Sequence, residues 1–479
     1  MGDDVAGNRF EPTDPYARRQ EAVKEPPVGF WPTLRHLGPG LILVGSVVGS
    51  GEIVLTTTLG AKVGFAMLWW ILLSCWGKNI VQAELGRHTI SSGESSLQAF
   101  NQLPGPRWRG SWFIWLWVLA LIPYYLAVGG IYGASGQALN LLLPASEFGA
   151  WWTGDRIWTI ILAALAAGLI LSGTYRLLER MMTIMVVVFT FVTVSFAILV
   201  GWTDFAFSWP DIKSGFRLSF PGIAVASALA AYGATGVSWI ENLAYPYWCV
   251  EKGYARFAGR PDGSNDWVQR ARGWIRVMHM DVVLTMFILT IATFAFYSLG
   301  AAVLHAGAGQ GTDPLVPGGF QTVEILSETY SPFGDWAPRL FQLGALCVLY
   351  STVLSGLGGM ARMQADCIGI LGFIDTRDYS ARLRWERVFA VVSPCLFALF
   401  YFFIQRPVWM LTVGASIGAA MMPIVTAGTI FLRYKRTDRR IAPTWKSDAV
   451  LWLCFGTMLA LAAYTIYAWI SSPETMTAK

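Results

Sequence analysis

Residues 233–242 read Gly-Ala-Thr-Gly-Val-Ser-Trp-Ile-Glu-Asn inside one long apolar stretch, and residues 45–52 read Gly-Ser-Val-Val-Gly-Ser-Gly-Glu inside another. Glycine in a helix interior costs about 1 kcal/mol relative to alanine, so runs of this kind read as interruptions. Unwound backbone is tolerated at membrane depth only where protein buries it or a cavity solvates it. The freed carbonyls can then hold a cation, and the half-helix amino-terminal ends can face an anion. Each run carries an acid at or next to its end, Glu52 or Glu241. A charge at the bilayer centre costs about 2.5–3.5 kcal/mol, so both acids need a partner, a proton or water. The plainer account of the glycines is close helix packing, which fits Gly45 and Gly49 four residues apart. A structural ion pair is the plainer account of the acids, yet neither run contains Lys or Arg.

The composition places these runs in a membrane. The chain has 479 residues, 54% hydrophobic and 14% charged, with 23 Trp and 28 Phe; its mean hydropathy is +0.48. Soluble domains carry about 25% charged residues. Disorder, a disulfide scaffold and a cytosolic enzyme are thereby excluded. Cys75, Cys249, Cys347, Cys367, Cys395 and Cys454 form no CxxC pair, so they read as small buried hydrophobes rather than zinc ligands or disulfides. The first residues are too polar for a secretory signal peptide.

A bilayer core needs about 20 apolar residues per helix. Stretches near that length lie at 38–59, 61–86, 111–142, 156–173, 181–202, 219–250, 279–304, 339–361, 386–404, 407–433 and 448–470. Eleven helices are expected, in an all-α polytopic membrane protein. Basic residues gather in alternate loops, as at 252–276 and 433–446, while the 305–335 loop carries Asp313, Glu324, Glu328 and Asp335. The positive-inside rule then puts the amino terminus in the cytoplasm and the carboxyl terminus outside, in a plasma (inner) membrane. Residues 1–34 form a cytoplasmic tail and 35–479 one transmembrane domain. With two five-helix halves, about 35–202 and 219–433, the first and sixth helices take corresponding places in opposite directions. That is the pattern of an inverted-repeat transporter with its site between the two breaks.

At these residues the sequence resembles the Nramp family of divalent-metal transporters. The resemblance runs through Gly38-Pro39-Gly40, Gly60-Ala61-Lys62-Val63-Gly64-Phe65 with Leu68-Trp69, and Gly173-Thr174-Tyr175-Arg176-Leu177-Leu178-Glu179. It implies the LeuT-type fold, two inverted five-helix repeats plus an eleventh helix. Ordinary members read Asp-Pro-Gly-Asn in the first helix, where Asp and Asn bind the metal; here the block is Gly49-Ser50-Gly51-Glu52. In the sixth helix the family has Ala-x-x-Met-Pro-His, against Ala234-Thr235-Gly236-Val237-Ser238-Trp239 here. The family's third-helix acids, on its proton path, are missing around Tyr124-Tyr125-Leu126-Ala127-Val128-Gly129. The divergence points toward Nramp-related proteins of the magnesium-carrying kind.

Without thioether or imidazole in these blocks, carboxylates, hydroxyls, carbonyls and water remain, a donor set for hard cations. The expected function is a secondary transporter or facilitator of Mg²⁺ or Mn²⁺ working by alternating access, with proton coupling in doubt. Glu52 and Glu241, with carbonyls of Gly49 and Ala234, would hold the metal; Ser50, Thr235, Val237 and Ser238 would line the site. The rival cargo on the same scaffold is a small cationic or zwitterionic organic solute, caged by Trp239, Tyr232 and Tyr125. A receptor that binds without flux is a third class. No Walker, Gly-x-Ser-x-Gly or His-Glu-x-x-His motif is present, so the chain is not expected to be an enzyme or to need a cofactor. Lipid and the transported solute are the expected partners, with no nucleic acid, and the expected state is a monomer.

Elsewhere, Lys78 is expected to snorkel from the second helix, Asp281 to sit hydrated at an interface, and Arg362 and Asp366 to pair four residues apart on a helix surface. His36, His88, His279 and His305 receive no role.

Overall fold

The computed structural model describes residues 14–18, 20–37, 49–149, 151–172, 175–305, 313–375 and 378–471. Gly38-Pro39-Gly40, Gly45 and Ser46 of the sequence reading, and Gly173-Thr174, lie outside them. Within them the chain is helical apart from a two-residue antiparallel pairing of Arg107–Trp108 with Gly110–Ser111. Nine helical runs among the described residues are long and apolar enough to cross a bilayer. The eleven expected spans map onto these with two differences. The first and second are counted together as Gly51–Ser92 but turn at Gly64 (φ +59°), between Thr57–Val63 and Leu68–Trp76, and the fourth is the 19-residue helix Gly154–Ser172, not among those nine.

The remaining spans are the third, Trp112–Leu142; the fifth, Tyr175–Leu199; the seventh, Asn265–Leu299; and the eighth, Ala337–Ile370. The ninth is Tyr379–Ile404, the tenth Pro407–Lys435 and the eleventh Trp445–Ser471. The sixth comes in two pieces, Val225–Ala234 and Trp239–Lys252. Burial sorts them. The sixth-helix run is 72% buried inside the protein and the eleventh only 17%, so the sixth is central and the eleventh is an addition to the rim. The third helix packs on the eighth, ninth and tenth, and the first half of the sixth packs on the tenth. The second half of the sixth lies on the second helix, which also contacts the seventh.

The seventh helix starts well before the expected 279. Ser264 caps it by accepting from Trp267 N at 3.1 Å, and much of the basic 251–276 loop is therefore helix. Basic residues set the inner limit of the apolar stretch, not the end of the helix. Three further expectations change. Lys78 does not snorkel; it is 0% exposed. Asp281 is also 0% exposed, and Tyr245 donates to it at 3.1 Å. Arg362 and Asp366 are not partners. Arg362 forks onto Glu251, whereas Asp366 accepts from Ser95, from Tyr247 at 2.7 Å and from Gln98 at 3.0 Å, with Arg382 at 3.6 Å.

Candidate functional site

The sixth helix breaks for readable reasons. Its first piece ends where Thr235 turns extended (φ −78°, ψ 141°), and Gly236 follows at φ +74°. That left-handed conformation favours glycine, and a Cβ there would also lie 2.8 Å from the Ser74 carbonyl oxygen. Ser238 then restarts the helix with a capping box. Its Oγ accepts from Glu241 N at 3.5 Å, and Glu241 Oε2 accepts from Ser238 N at 2.6 Å. Ser-x-x-Glu before an apolar run is a sequence signal for this device, and it stands plainly at 238–241. Asn242 supports the same turn by donating to the carbonyls of Ser238 at 2.9 Å and Val237 at 3.3 Å.

The described part of the first helix begins in a related way; residues 38–48, where the sequence reading puts most of its interruption, lie outside the described ones. Glu52, three residues after Gly49, accepts from Gly49 N at 3.0 Å through Oε2. The helix that follows is π-helical over Gly51–Thr56 before becoming α-helical over Thr57–Val63. Single π turns inside helices frequently mark functional sites. The start of this helix touches the sixth-helix break. A Cβ on Gly51 would come within 2.8 Å of the Ala234 carbonyl oxygen, and one on Gly49 within 2.2 Å of Thr352 Oγ1 on the eighth helix.

One peptide group joins them. Glu52 Oε1 accepts from Gly236 N at 3.4 Å, while Lys78 Nζ donates to the Thr235 carbonyl at 2.7 Å. Lys78 also donates to the Tyr232 carbonyl and stands 4.9 Å from the centre of the Tyr232 ring. The second helix is itself interrupted here, between Leu68–Trp76 and Asn79–Ser92.

A cavity of about 120 Å³ opens beside the breaks. A water needs about 10–15 Å³ by this measure, so an ion with several waters fits. Its polar wall comes from Ser50, Ser238, Glu241, Thr352 and Ser355, and its apolar wall includes Tyr124, Trp239, Trp248, Met360 and Met363. Glu241 Oε2 serves the cap, and the residue lies on the cavity wall. Ser50, Ala234 and Ser238 also line the cavity. Gly49, Glu52, Thr235 and Val237 do not; the Glu52 side chain is buried and turned to the backbone of Gly49 and Gly236. Tyr232 and Tyr125 are not on the wall either, and Tyr125 accepts from Gln364 instead.

Thr352, Ser355, Met360 and Met363 escaped the sequence reading because they lie on a helix with no break. The methionines restore the sulfur that the sixth helix lacks. No group of three or more His, Cys, Asp or Glu fit to hold a metal exists among the described residues. A cation here would rest on one carboxylate with hydroxyls, carbonyls, sulfur and water.

Charged clusters close the ends of the second and tenth helices. Glu84 meets Arg87 at 3.2 Å and Arg433 at 3.5 Å, and Arg433 meets Asp448 at 2.8 Å. Arg87 also contacts His279 at 3.2 Å. In the adjoining turn a hydrogen bond from His88 holds the Glu94 carboxyl below the usual carboxylate range.

Comparison with known proteins agrees with this geometry. The model of the natural resistance-associated macrophage protein-like (Nramp) family matches residues 40–468. An uncharacterized protein of Pasteurella multocida (strain Pm70) is 24% identical over 375 residues, covering 76% of this chain and 77% of its own length. A mutant form of the Eremococcus coleocola manganese transporter has a TM-score of 0.65 at 16% identity, covering 94% of this chain and 91% of that one. Mhp1, a nucleobase-cation-symport-1 family transporter with bromovinylhydantoin bound, has a TM-score of 0.55 at 14% identity, covering 92% and 95%. MhsT in complex with L-phenylalanine has 0.53 at 14%, covering 93% and 99%. These are LeuT-fold transporters, and the fold here is the same: two inverted five-helix repeats and an eleventh helix.

Proposed function

This chain belongs to the Nramp family, whose members are transporters and not enzymes, and from that premise we propose that it carries a divalent metal cation through the cavity between its first helix and its broken sixth helix. The observation that carries the reading is Glu241, an acid that lines that cavity at the restart of the sixth helix. Ser50, Ser238, Thr352 and Ser355 add hydroxyls, and Ala234 adds a carbonyl at the sixth-helix break; the Gly49 carbonyl instead accepts from Ile53 N at 2.9 Å. Mn²⁺ comes before Mg²⁺ in this proposal. The solved relative is a manganese transporter, and the thioethers of Met360 and Met363 suit a transition metal better than a purely hard ion.

The carrier cycles by alternating access as the first and sixth helices move against the rest, with its amino terminus in the cytoplasm. The third helix contributes Tyr124, Ala127, Val128 and Ile131 to the wall and no acid, so the reading has no proton step on that helix.

A second cargo is favoured by one observation. Tyr124, Trp239 and Trp248 stand around a single carboxylate, which is also a setting for a small organic cation. Isothermal titration of the purified protein separates the two. Saturable Mn²⁺ binding, weaker for Mg²⁺, supports the metal; no heat from either ion into the tens of millimolar supports the organic cation.

A further inference from the structure

The ammonium of Lys78 has the surroundings of an ion rather than of a salt bridge. It is wholly buried, and its partners are the carbonyls of Tyr232 and Thr235 and the face of the Tyr232 ring. Among the described residues no carboxylate lies within ion-pair distance of it; the carboxyl groups of Glu52 and Glu241 stand further off, as the other two ionisable groups around the break. The carbonyls that Lys78 holds end the first half of the sixth helix. There the helix dipole is negative, and unwound carbonyls in membrane transporters coordinate small cations. A further acceptor, Thr235 Oγ1, is buried there with no partner among the described residues.

We propose that Lys78 is the resident cation of a monovalent-cation site at the sixth-helix break, a positioning residue whose tethered ammonium replaces a dissociable ion. The chain then keeps the break in its working geometry with no sodium, potassium or ammonium from solution. Shortening the side chain empties the position and turns it into a site for a small monovalent cation: ammonium, methylammonium or sodium. Lys78→Met removes the charge but leaves a chain of similar length in the space, so it offers no such room.

Wild type, Lys78→Ala and Lys78→Met are compared in proteoliposomes and in detergent, with choline as the inert cation. In choline, Mn²⁺ uptake falls about tenfold in both variants, the scale of one lost hydrogen bond to a charged group. Ammonium, methylammonium or sodium restores uptake saturably in Lys78→Ala and not in Lys78→Met, and wild type ignores all three. The same cations raise the melting temperature of Lys78→Ala alone, by several degrees at saturation, as a ligand bound only to the folded state must. This second reading needs no cargo, so it tests Lys78 even if the transported solute is not a metal. The proposal is overturned if Lys78→Ala transports like wild type in choline. It is equally overturned if none of the three cations changes either its uptake or its melting temperature.

Discussion

Glu52 and Lys78 hold opposite ends of one peptide group. The Thr235–Gly236 peptide gives its N–H to Glu52 Oε1 at 3.4 Å and its carbonyl to Lys78 Nζ at 2.7 Å. Two buried ionisable groups are thus placed on either side of a dipole that bridges them, and neither is left without hydrogen bonds, the condition under which buried polar groups are tolerated. Glu52 fixes the break, and Glu241 is the acid that faces the cavity.

That division of labour predicts the behaviour of Glu52→Gln. An amide has one accepting oxygen, while Glu52 accepts from both Gly49 N and Gly236 N. One buried N–H then faces an NH₂ group. A donor left unsatisfied costs about 1–3 kcal/mol, so the variant melts several degrees below wild type in detergent. A melting temperature equal to wild type would show that Glu52 does not tie the breaks together.

Glu241 is expected to divide stability from transport. Glutamine can serve at the third position of a capping box, so Glu241→Gln keeps its bond from Ser238 N and its melting temperature stays close to wild type. Glu241→Ala loses the cap as well and is destabilised by about 1 kcal/mol. Thermal unfolding of the two variants side by side makes the comparison; equal losses in both contradict it.

Close backbone contact fixes the first half of the sixth helix. A Cβ on Gly233 would lie 2.0 Å from the Ala415 carbonyl oxygen of the tenth helix. Backbone cannot yield as a side-chain tip can, so Gly233→Ala forces the helices apart at a cost of about 1–3 kcal/mol. The expected result is a clear loss of thermal stability, whereas Gly222→Ala, where a Cβ meets nothing within 4 Å, serves as the silent control.

Met360 and Met363 test the choice of metal. Replacing both with Leu keeps volume at a cost below about 1.5 kcal/mol each and removes the soft donors. The ratio of Mn²⁺ to Mg²⁺ uptake falls, chiefly through Mn²⁺. An unchanged ratio means that the thioethers play no part in selection.

Much of the fold was legible in the sequence because the bilayer writes it there. Length and apolarity gave the spans, and the glycine-rich run at 233–238 gave the interruption of the sixth helix; the matching run of the first helix lies mostly outside the described residues. The seventh-helix start was missed because a helix does not stop where its residues become polar; Ser264 decides it. Lys78 was misread because its partners, the carbonyls of Tyr232 and Thr235, are more than 150 residues away in sequence. The candidate site was visible in part. Ser238-x-x-Glu241 carries its own capping signal, but nothing local distinguishes an acid that faces a cavity from one that braces backbone, as Glu241 and Glu52 do. The eighth-helix wall was hidden for a similar reason. Thr352, Ser355, Met360 and Met363 are ordinary helical residues until the third and sixth helices pack around them.

The central claim is that a divalent cation passes through the cavity on whose wall Glu241 lies. It is tested most directly by Mn²⁺ uptake into proteoliposomes containing wild type or Glu241→Gln, after equal melting temperatures have been verified. The account predicts saturable uptake by wild type and a fall of about tenfold or more in the variant, as expected when a charged ligand becomes neutral. Undiminished uptake by Glu241→Gln, or none by wild type, would contradict it.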